Sequence, residues 1–236
     1  MSNKTSIIIC TLNEVKFVES CIDDIFNKIP NVELIIVDDN STDGTIEKIR
    51  NHNKAGHFKF IIRKKDTGLA SAFLRGVFET AGEYIGWIDT NMGYLIPKFL
   101  EMQNFLKGEN DIVVLSRYIE GGSDERTYLR SLSSKYINLF CKFFFNSKIN
   151  DFTSGIFLIK KKIINEVPFV GYGHGDFIIE FLYHAEKKGF KILEIPYIQK
   201  KDIDPITSKS APSHLRFLLL GVQYIMRIIV IKFRKI

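Results

Sequence analysis

The chain has 236 residues, of which 45% are hydrophobic and 25% charged, and this is the composition of a globular protein with room for one full α/β domain. The net charge of +6 favours anionic partners, but no Lys/Arg-rich tract is interleaved with aromatic residues, so nucleic acid is not an expected partner. Cys10, Cys21 and Cys141 lack metal-site spacing, which indicates reduced thiols and no zinc site. No apolar run reaches about 18 residues and the first strand starts almost at once, so neither a transmembrane helix nor a signal peptide is expected.

Strands and helices alternate through the first half of the chain. Apolar, β-branched runs predict five strands, at 6–10, 32–37, 58–62, 84–88 and 111–115. Apolar residues at helical spacing predict the intervening helices, at 15–26, about 42–51, 68–80 and 95–106. Asn13 is the expected N-cap of the first helix. This alternation is typical of a doubly wound, parallel sheet.

The second half is richer in helices. The pattern predicts helices at 129–145, 177–188 and 214–235, an apolar stretch at 156–159 and a strand at 191–198. The last helix places its polar residues on one stripe, namely Arg216, Gln223, Arg227 and Arg234. We expect a catalytic domain at 1–210 and an amphipathic helix at 211–236 that lies in a membrane interface, its cations facing anionic headgroups. A helix that caps the domain's own core and a truncated membrane span are the alternatives.

Two strand ends carry the clearest functional signal. The first apolar run ends in Thr-Leu-Asn-Glu at 11–14, and the second ends in Asp38 and Asp39. The carboxyl ends of parallel strands form the ligand-binding edge of such a sheet, and carboxylates there bind a ribose, a base or a metal. The pattern indicates an α/β enzyme that uses a nucleotide.

Seven motifs follow one another in the order found in family 2 glycosyltransferases. They are Thr-Leu-Asn-Glu (11–14), Val-Asp-Asp-Asn-Ser-Thr-Asp-Gly-Thr (37–45), Gly-Leu-Ala-Ser-Ala (68–72), Ile-Asp-Thr-Asn (88–91), Ser-Arg-Tyr-Ile-Glu-Gly-Gly (116–122), Asp-Phe-Thr-Ser-Gly (151–155) and Ser-Lys (208–209). The chain most resembles the polyprenol-phosphate sugar synthases, such as the dolichol-phosphate mannose synthases. The resemblance implies a GT-A fold, which is a Rossmann-like, mostly parallel sheet flanked by helices. It also implies a nucleotide-sugar donor and a transfer that inverts the anomeric centre.

On the donor side, the resemblance assigns nucleoside binding to Thr11, Leu12, Asn13, Glu14 and Asp39. Asn13 as only a helix cap and Asp39 as only a turn former are the structural alternatives.

The family binds a divalent cation, Mg²⁺ or Mn²⁺, with an Asp-x-Asp triplet. Here Asp89 and Asn91 occupy these positions. The amide of Asn91 brings no charge, so metal affinity should fall.

On the acceptor side, the resemblance assigns binding of a lipid phosphate to Arg117, Arg130, Ser134 and Lys209. Arg130 and Ser134 are four residues apart and share one helix face. Cationic and hydroxyl donors suit a phosphate, which needs no strong general base because it is already ionised. Ordinary salt bridges are the alternative for Arg117 and Arg130.

These expectations describe a peripheral glycosyltransferase on the cytoplasmic side of a membrane, with Asp89, Arg117 and Arg130 as its catalytic residues. It would move mannose from GDP-mannose, or glucose from UDP-glucose, to a polyprenyl or dolichyl phosphate. A transferase acting on a glycan or another non-lipid acceptor is one alternative. A non-catalytic homologue with a degraded metal site is the other, and Asn91 motivates it.

Overall fold

The computed structural model describes residues 4–173, 175–201 and 214–234, with only the backbone for 214–220. Its strands are β1 (Thr5–Thr11), β2 (Val32–Asp38), β3 (Phe58–Ile62), β4 (Tyr84–Trp87), β5 (Ile112–Ser116), β6 (Ser123–Asp124), β7 (Phe157–Lys160), β8 (Ile192–Pro196) and β9 (Ile198–Gln199). Its α-helices are α1 (Val18–Lys28), α2 (Thr45–Arg50), α3 (Leu69–Glu79), α4 (Lys98–Lys107), α5 (Tyr128–Phe145), α6 (Asp176–Lys187) and α7 (His214–Phe233).

Seven strands form one sheet in the order β3-β2-β1-β4-β7-β5-β8, and β6 pairs with β9 in a small second ladder. The pairs β1–β2, β2–β3, β1–β4 and β5–β8 are parallel. This confirms the α/β class with a mostly parallel sheet. The exception is β7, which is inserted between β4 and β5 and runs antiparallel to both.

Apolar side chains fill both faces of the sheet. On one face, β1, β4 and β7 pack against α3 and α6 through an aromatic cluster that contains Phe73, Trp87, Phe157, Phe177 and Phe181. On the other face, the same strands pack against α1 and α4. A sheet buried on both faces keeps its strands rigid, so the polar residues at their carboxyl ends are held at fixed positions.

The first helix begins later than the sequence predicts. The helix α1 starts at Val18, and Asn13 is not its N-cap. Asn13 instead adopts a left-handed conformation with φ of 57°. Its backbone N–H donates to Ser41 Oγ, and its Oδ1 accepts from the N–H of Thr42, both at 2.8 Å. Asn13 therefore hydrogen-bonds to the loop after β2 and does not cap α1, so the predicted N-cap is wrong.

Candidate active site

The candidate site lies at the carboxyl edge of the sheet, around the end of β1. The chain adds β2 and β3 on one side of β1 and β4 on the other, so this edge is a topological switch point, where α/β sheets bind ligands. Burial, followed by the charges of Asp89 and Asp39, raises the pKa of the Cys10 thiol. The two carboxylates therefore lie close enough to Cys10 for both to act on it.

The two aspartates at the end of β2 have different roles. Asp38 is fully buried and accepts hydrogen bonds from Thr11 Oγ1 and Ser41 Oγ, both at 2.6 Å. Thr11 is also buried, so its hydroxyl positions Asp38. Asp39 instead accepts from Arg63 Nε and from the backbone N–H of Gly68, both at 2.7 Å. Asp39 thus joins β2 to the loop before α3 and stands at the edge of the site.

Arg63 is a residue that the sequence analysis missed. Besides Asp39, its guanidinium donates to the carbonyls of Asp66 and Gly68 and to Ser71 Oγ. One planar group therefore fixes the whole turn from β3 to α3 against Asp39. The only sequence signal was its position directly after a predicted strand.

The segment after β1 is fixed from both sides. The N–H of Glu14 donates to Thr45 Oγ1 at 2.8 Å, and the Glu14 carboxylate accepts from Thr90 Oγ1 at 2.9 Å. Leu12 is exposed at the edge. The structure thus brings the predicted nucleoside residues Leu12, Asn13, Glu14 and Asp39 to one edge.

Asp89 and Asn91 lie where β4 ends. Asp89 is half-buried two residues after the end of β4, and Asn91 is exposed on the 3-10 turn Thr90–Leu95 that follows. Among the residues that the structure describes, no three His, Cys, Asp or Glu side chains group around a metal position. A carboxylate and an amide oxygen are hard ligands that suit Mg²⁺ or Mn²⁺, but two such ligands form a weak site. The residues therefore fit a cation that phosphate oxygens of a bound nucleotide help to hold.

Arg117 lies in a buried ion-pair network at the end of β5. Its Nε and Nη2 each donate to an Asp151 oxygen at 2.8 Å, Nη2 also donates to Thr153 Oγ1 at 2.8 Å, and Nη1 lies 3.4 Å from Asp124. Its side chain is 2% exposed. Burial by itself lowers the pKa of Arg117, but the charge and hydrogen bonds of Asp151 outweigh burial and raise it. The salt bridge that the sequence left as an alternative is present, and the geometry makes Arg117 a positioning residue.

The sequence analysis assigned no role to Asp151 or Asn138, although both belong to this network. Asn138 Nδ2 donates to Thr153 Oγ1 at 2.8 Å and its Oδ1 accepts from the N–H of Phe152 at 2.7 Å. Ser134 Oγ lies 3.1 Å from the same Thr153 hydroxyl. The Asp-Phe-Thr-Ser-Gly motif contained the signal for Asp151, but its partner Arg117 is 34 residues away.

The structure places the remaining predicted acceptor residues on or near α5. Arg130 and Ser134 lie half-buried in the first two turns of that helix, and Ser134 reaches the buried network through Thr153. Lys209 lies outside the described residues. Arg126, which pairs with Asp124 through two hydrogen bonds of 2.8 and 2.6 Å, adds another cation to this side of the edge.

Two arginines of the polar stripe of α7 face the protein itself, whereas Gln223 of that stripe is exposed. Arg227 Nε lies 2.9 Å from Asp176, and Arg234 Nη1 lies 2.7 Å from Glu180, both on α6. The expectation that these two arginines face lipid headgroups is therefore wrong. No helix in the described part of the chain is long and apolar enough to cross a membrane.

The sheet topology and its polar edge define an α/β protein of the nucleotide-binding class. Residues 6–167 match the family model for Glycosyl transferase family 2, and the chain belongs to this family.

Two curated relatives match most of the chain. It is 30% identical to the dolichol-phosphate mannosyltransferase of Pyrococcus furiosus over 226 residues, which is 91% of this chain and 62% of that protein. It is 22% identical to the polyprenol monophosphomannose synthase of Mycolicibacterium smegmatis over 229 residues, which is 94% of this chain and 86% of that protein. The chain thus spans less than two thirds of the length of the first relative.

Solved structures confirm the GT-A fold. Glucosyl-3-phosphoglycerate synthase from Mycobacterium tuberculosis, in complex with UDP, matches all of this chain and 82% of its own with a TM-score of 0.73 at 19% identity. A complex of that enzyme with Mn²⁺, UDP and phosphoglyceric acid matches 98% of this chain and 79% of its own with a TM-score of 0.70 at 18% identity.

Proposed function

We propose that the chain transfers one sugar from a nucleoside diphosphate sugar to the phosphate of a polyprenyl or dolichyl lipid, with inversion at the anomeric carbon. The observation that carries this proposal is the chemistry beside α5. Both carboxylates of the network, Asp124 and Asp151, are held in ion pairs with Arg117. A sugar hydroxyl would need a free carboxylate as its base, whereas a phosphate monoester is ionised at neutral pH and attacks without one. The two relatives that act on polyprenol-type lipids by name also support this acceptor.

On the donor side, Leu12, Asn13, Glu14 and Asp39 would hold the nucleoside. Asp89, with Asn91, would hold Mg²⁺ or Mn²⁺. The cation supplies positive charge for the diphosphate leaving group. Mannose from GDP-mannose and glucose from UDP-glucose are the two donors that we propose to test first.

On the acceptor side, Arg130 and Ser134 would bind the lipid phosphate. Arg117 acts through other groups, since it fixes Asp151 and Thr153, and Thr153 contacts Ser134. Placing an ionised oxygen behind the anomeric carbon is the main catalytic task of such a site. A membrane lipid as acceptor places the enzyme peripherally at a membrane. Its three free cysteines favour the cytoplasmic side.

The test is sugar transfer from a panel of labelled nucleotide sugars to polyprenyl phosphate in detergent, with Mg²⁺, with Mn²⁺ and with EDTA. A labelled product that partitions into chloroform is expected. A product with a small phosphorylated acceptor such as phosphoglyceric acid, and none with lipid, would instead favour the soluble-acceptor alternative. No product with any acceptor from a folded protein would favour a non-catalytic homologue.

A matched pair of variants tests the acceptor site. Arg130→Ala should raise the KM for polyprenyl phosphate by about tenfold or more, because it removes a charge-assisted hydrogen bond, and should leave the KM for the donor unchanged. Lys135→Ala removes a cation from an exposed position of the same helix and should change neither constant. Equal effects of the two variants would contradict the assignment of Arg130.

A further inference from the structure

The helix α7 turns its cationic side toward the rest of the domain and its apolar side outward. This is the reverse of a membrane-surface helix whose cations face lipid headgroups. Arg227 pairs with Asp176 and Glu180, and Arg234 pairs with Glu180. Lys232 Nζ donates to the carbonyl of Phe144 on α5 and lies 4.2 Å from the centre of that ring. All three cationic side chains therefore pair with groups of the domain itself.

The inward arginines are held firmly. Glu180 is buried, so its carboxylate would lie unpaired among apolar groups if the arginines turned outward. Arg227 also stacks on Tyr172, with 3.8 Å between its guanidinium carbon and the ring centre. Ile228 and Ile231 on the same side of α7 are buried in the core. The orientation of α7 is thus fixed by both charge and packing.

The outer face of α7 is almost entirely apolar. Within 221–234, one exposed side chain is polar, Gln223, and all the others are hydrophobic: Val222, Ile225, Met226, Ile229, Val230 and Phe233. Isolated exposed apolar residues are common, but a contiguous row along three turns of a helix marks an interaction surface.

The helix α5 extends this surface. It packs against α7, and it exposes Tyr136, Leu139 and Phe143. The same helix carries Arg130 and Ser134, the proposed acceptor-phosphate residues, in its first turns. We call the exposed apolar residues of α5 and α7 the outer face.

We propose that the outer face inserts into the boundary between headgroups and acyl chains of a lipid bilayer, held by apolar burial and not by attraction to anionic headgroups. The choice of lipid as the occupant rests on the proposed function, because α5 joins this face to the groups that would bind a lipid phosphate. A protein interface would be expected to carry charged or hydrogen-bonding groups at its rim, and α7 presents one amide along this length. A bilayer of neutral lipids is the surface that matches the α7 part of this face, which exposes no cation within 221–234.

The test is co-sedimentation of the purified chain with phosphatidylcholine vesicles, and with vesicles that also contain phosphatidylglycerol, at low and high salt and without donor or acceptor. We expect binding to neutral vesicles, with less than about a twofold change on adding anionic lipid or salt, since Debye screening acts only on exposed charge. Phe233→Glu should weaken the partition of the chain into the bilayer by about tenfold or more, because it puts a charge where an exposed Phe would become buried in lipid. Phe78→Glu is the matched control, since both phenylalanines are 75% exposed and Phe78 lies on α3.

Three results would overturn the inference. They are no sedimentation with any vesicle, binding confined to anionic vesicles and lost in salt, and a dimer in light scattering that Phe233→Glu dissociates. The third result would assign the face to a second copy of the chain. Vesicle binding is measured without transfer, so it can succeed when the proposed function fails. Conversely, transfer to polyprenyl phosphate in detergent by a chain that ignores vesicles would reject this surface and leave the proposed function intact.

Discussion

Replacing Asp151 by Asn tests whether the buried ion pair organises the acceptor side. Asp151 is fully buried and accepts two hydrogen bonds from the Arg117 guanidinium, both at 2.8 Å, and one from the Arg117 backbone N–H at 3.0 Å. The amide would turn an N–H donor toward a cation and leave its charge largely unpaired. Breaking a buried pair in this way costs about 3–5 kcal/mol.

That cost is a large part of the stability of a typical domain, which is roughly 5–15 kcal/mol. For a chain of this length it corresponds to a fall in Tm of roughly 6–20 °C. The assay is urea unfolding followed by tryptophan fluorescence. Trp87 is the single tryptophan and is buried in the aromatic cluster beside β4. The midpoint should fall while the slope of free energy with urea stays constant.

Glu79→Gln is the control for the loss of a carboxylate. Arg75 and Glu79 form a pair four residues apart on α3, with side chains 41% and 33% exposed, so the change should cost less than about 0.5 kcal/mol. Adding Arg117→Met to Asp151→Asn should recover part of the loss, since no unpaired buried cation would remain. If Asp151→Asn costs no more than Glu79→Gln, the reasoning about the buried network is wrong.

Three other variants test the donor side and the response to pH. Arg63→Lys should weaken UDP or GDP binding by about tenfold in calorimetry, because an ammonium cannot replace the planar contacts that hold Asp39. Asn91→Asp should lower the Mn²⁺ concentration for half-maximal activity by about tenfold, since it adds a charged ligand, whereas Asn104→Asp, at an exposed position of α4, should not. Burial lowers the pKa of His184, so its contribution to stability is full above the unfolded value of about 6.5 and is lost as pH falls below it. His184→Gln should flatten the decline in unfolding free energy from pH 7 to 5, while the same change at exposed His57 should not.

The strands whose carboxyl ends form the candidate active site were predictable because their sequence pattern is local. The strand predicted at 58–62 has the observed bounds, and β1 and β2 differ from prediction by a residue or so at their ends. Apolar β-branched runs in a sheet covered on both faces leave few other structures open. The polar residues that follow those strands then reach one edge by topology alone, and Asp39 and Asp89 both lie at that edge, after β2 and β4.

The strand β7 was not predictable in the same way. The run 156–159 is four apolar residues long, and periodicity cannot separate such a short strand from a buried helical segment. Its place between β4 and β5, and its antiparallel direction, depend on pairing with residues more than 40 positions away. The partner of Arg117 could not be predicted for the same reason. A lone arginine after a strand fits a ligand and a buried ion pair equally well.

The helix α7 shows most clearly what a sequence pattern cannot predict. Its amphipathic pattern was interpreted correctly, but the orientation of the helix was predicted wrongly. The stripe through Arg227 and Arg234 is present, but a stripe does not say which side meets the protein. The acids on α6 decide it: Asp176 and Glu180 lie on the surface that α7 covers and are paired with these arginines. Burying those acids unpaired would cost more than exposing a row of aliphatic side chains to a surface that accepts them. The orientation of the helix therefore follows from charge complementarity with its neighbour, and the apolar face that remains outside is the basis of the proposed binding to lipid.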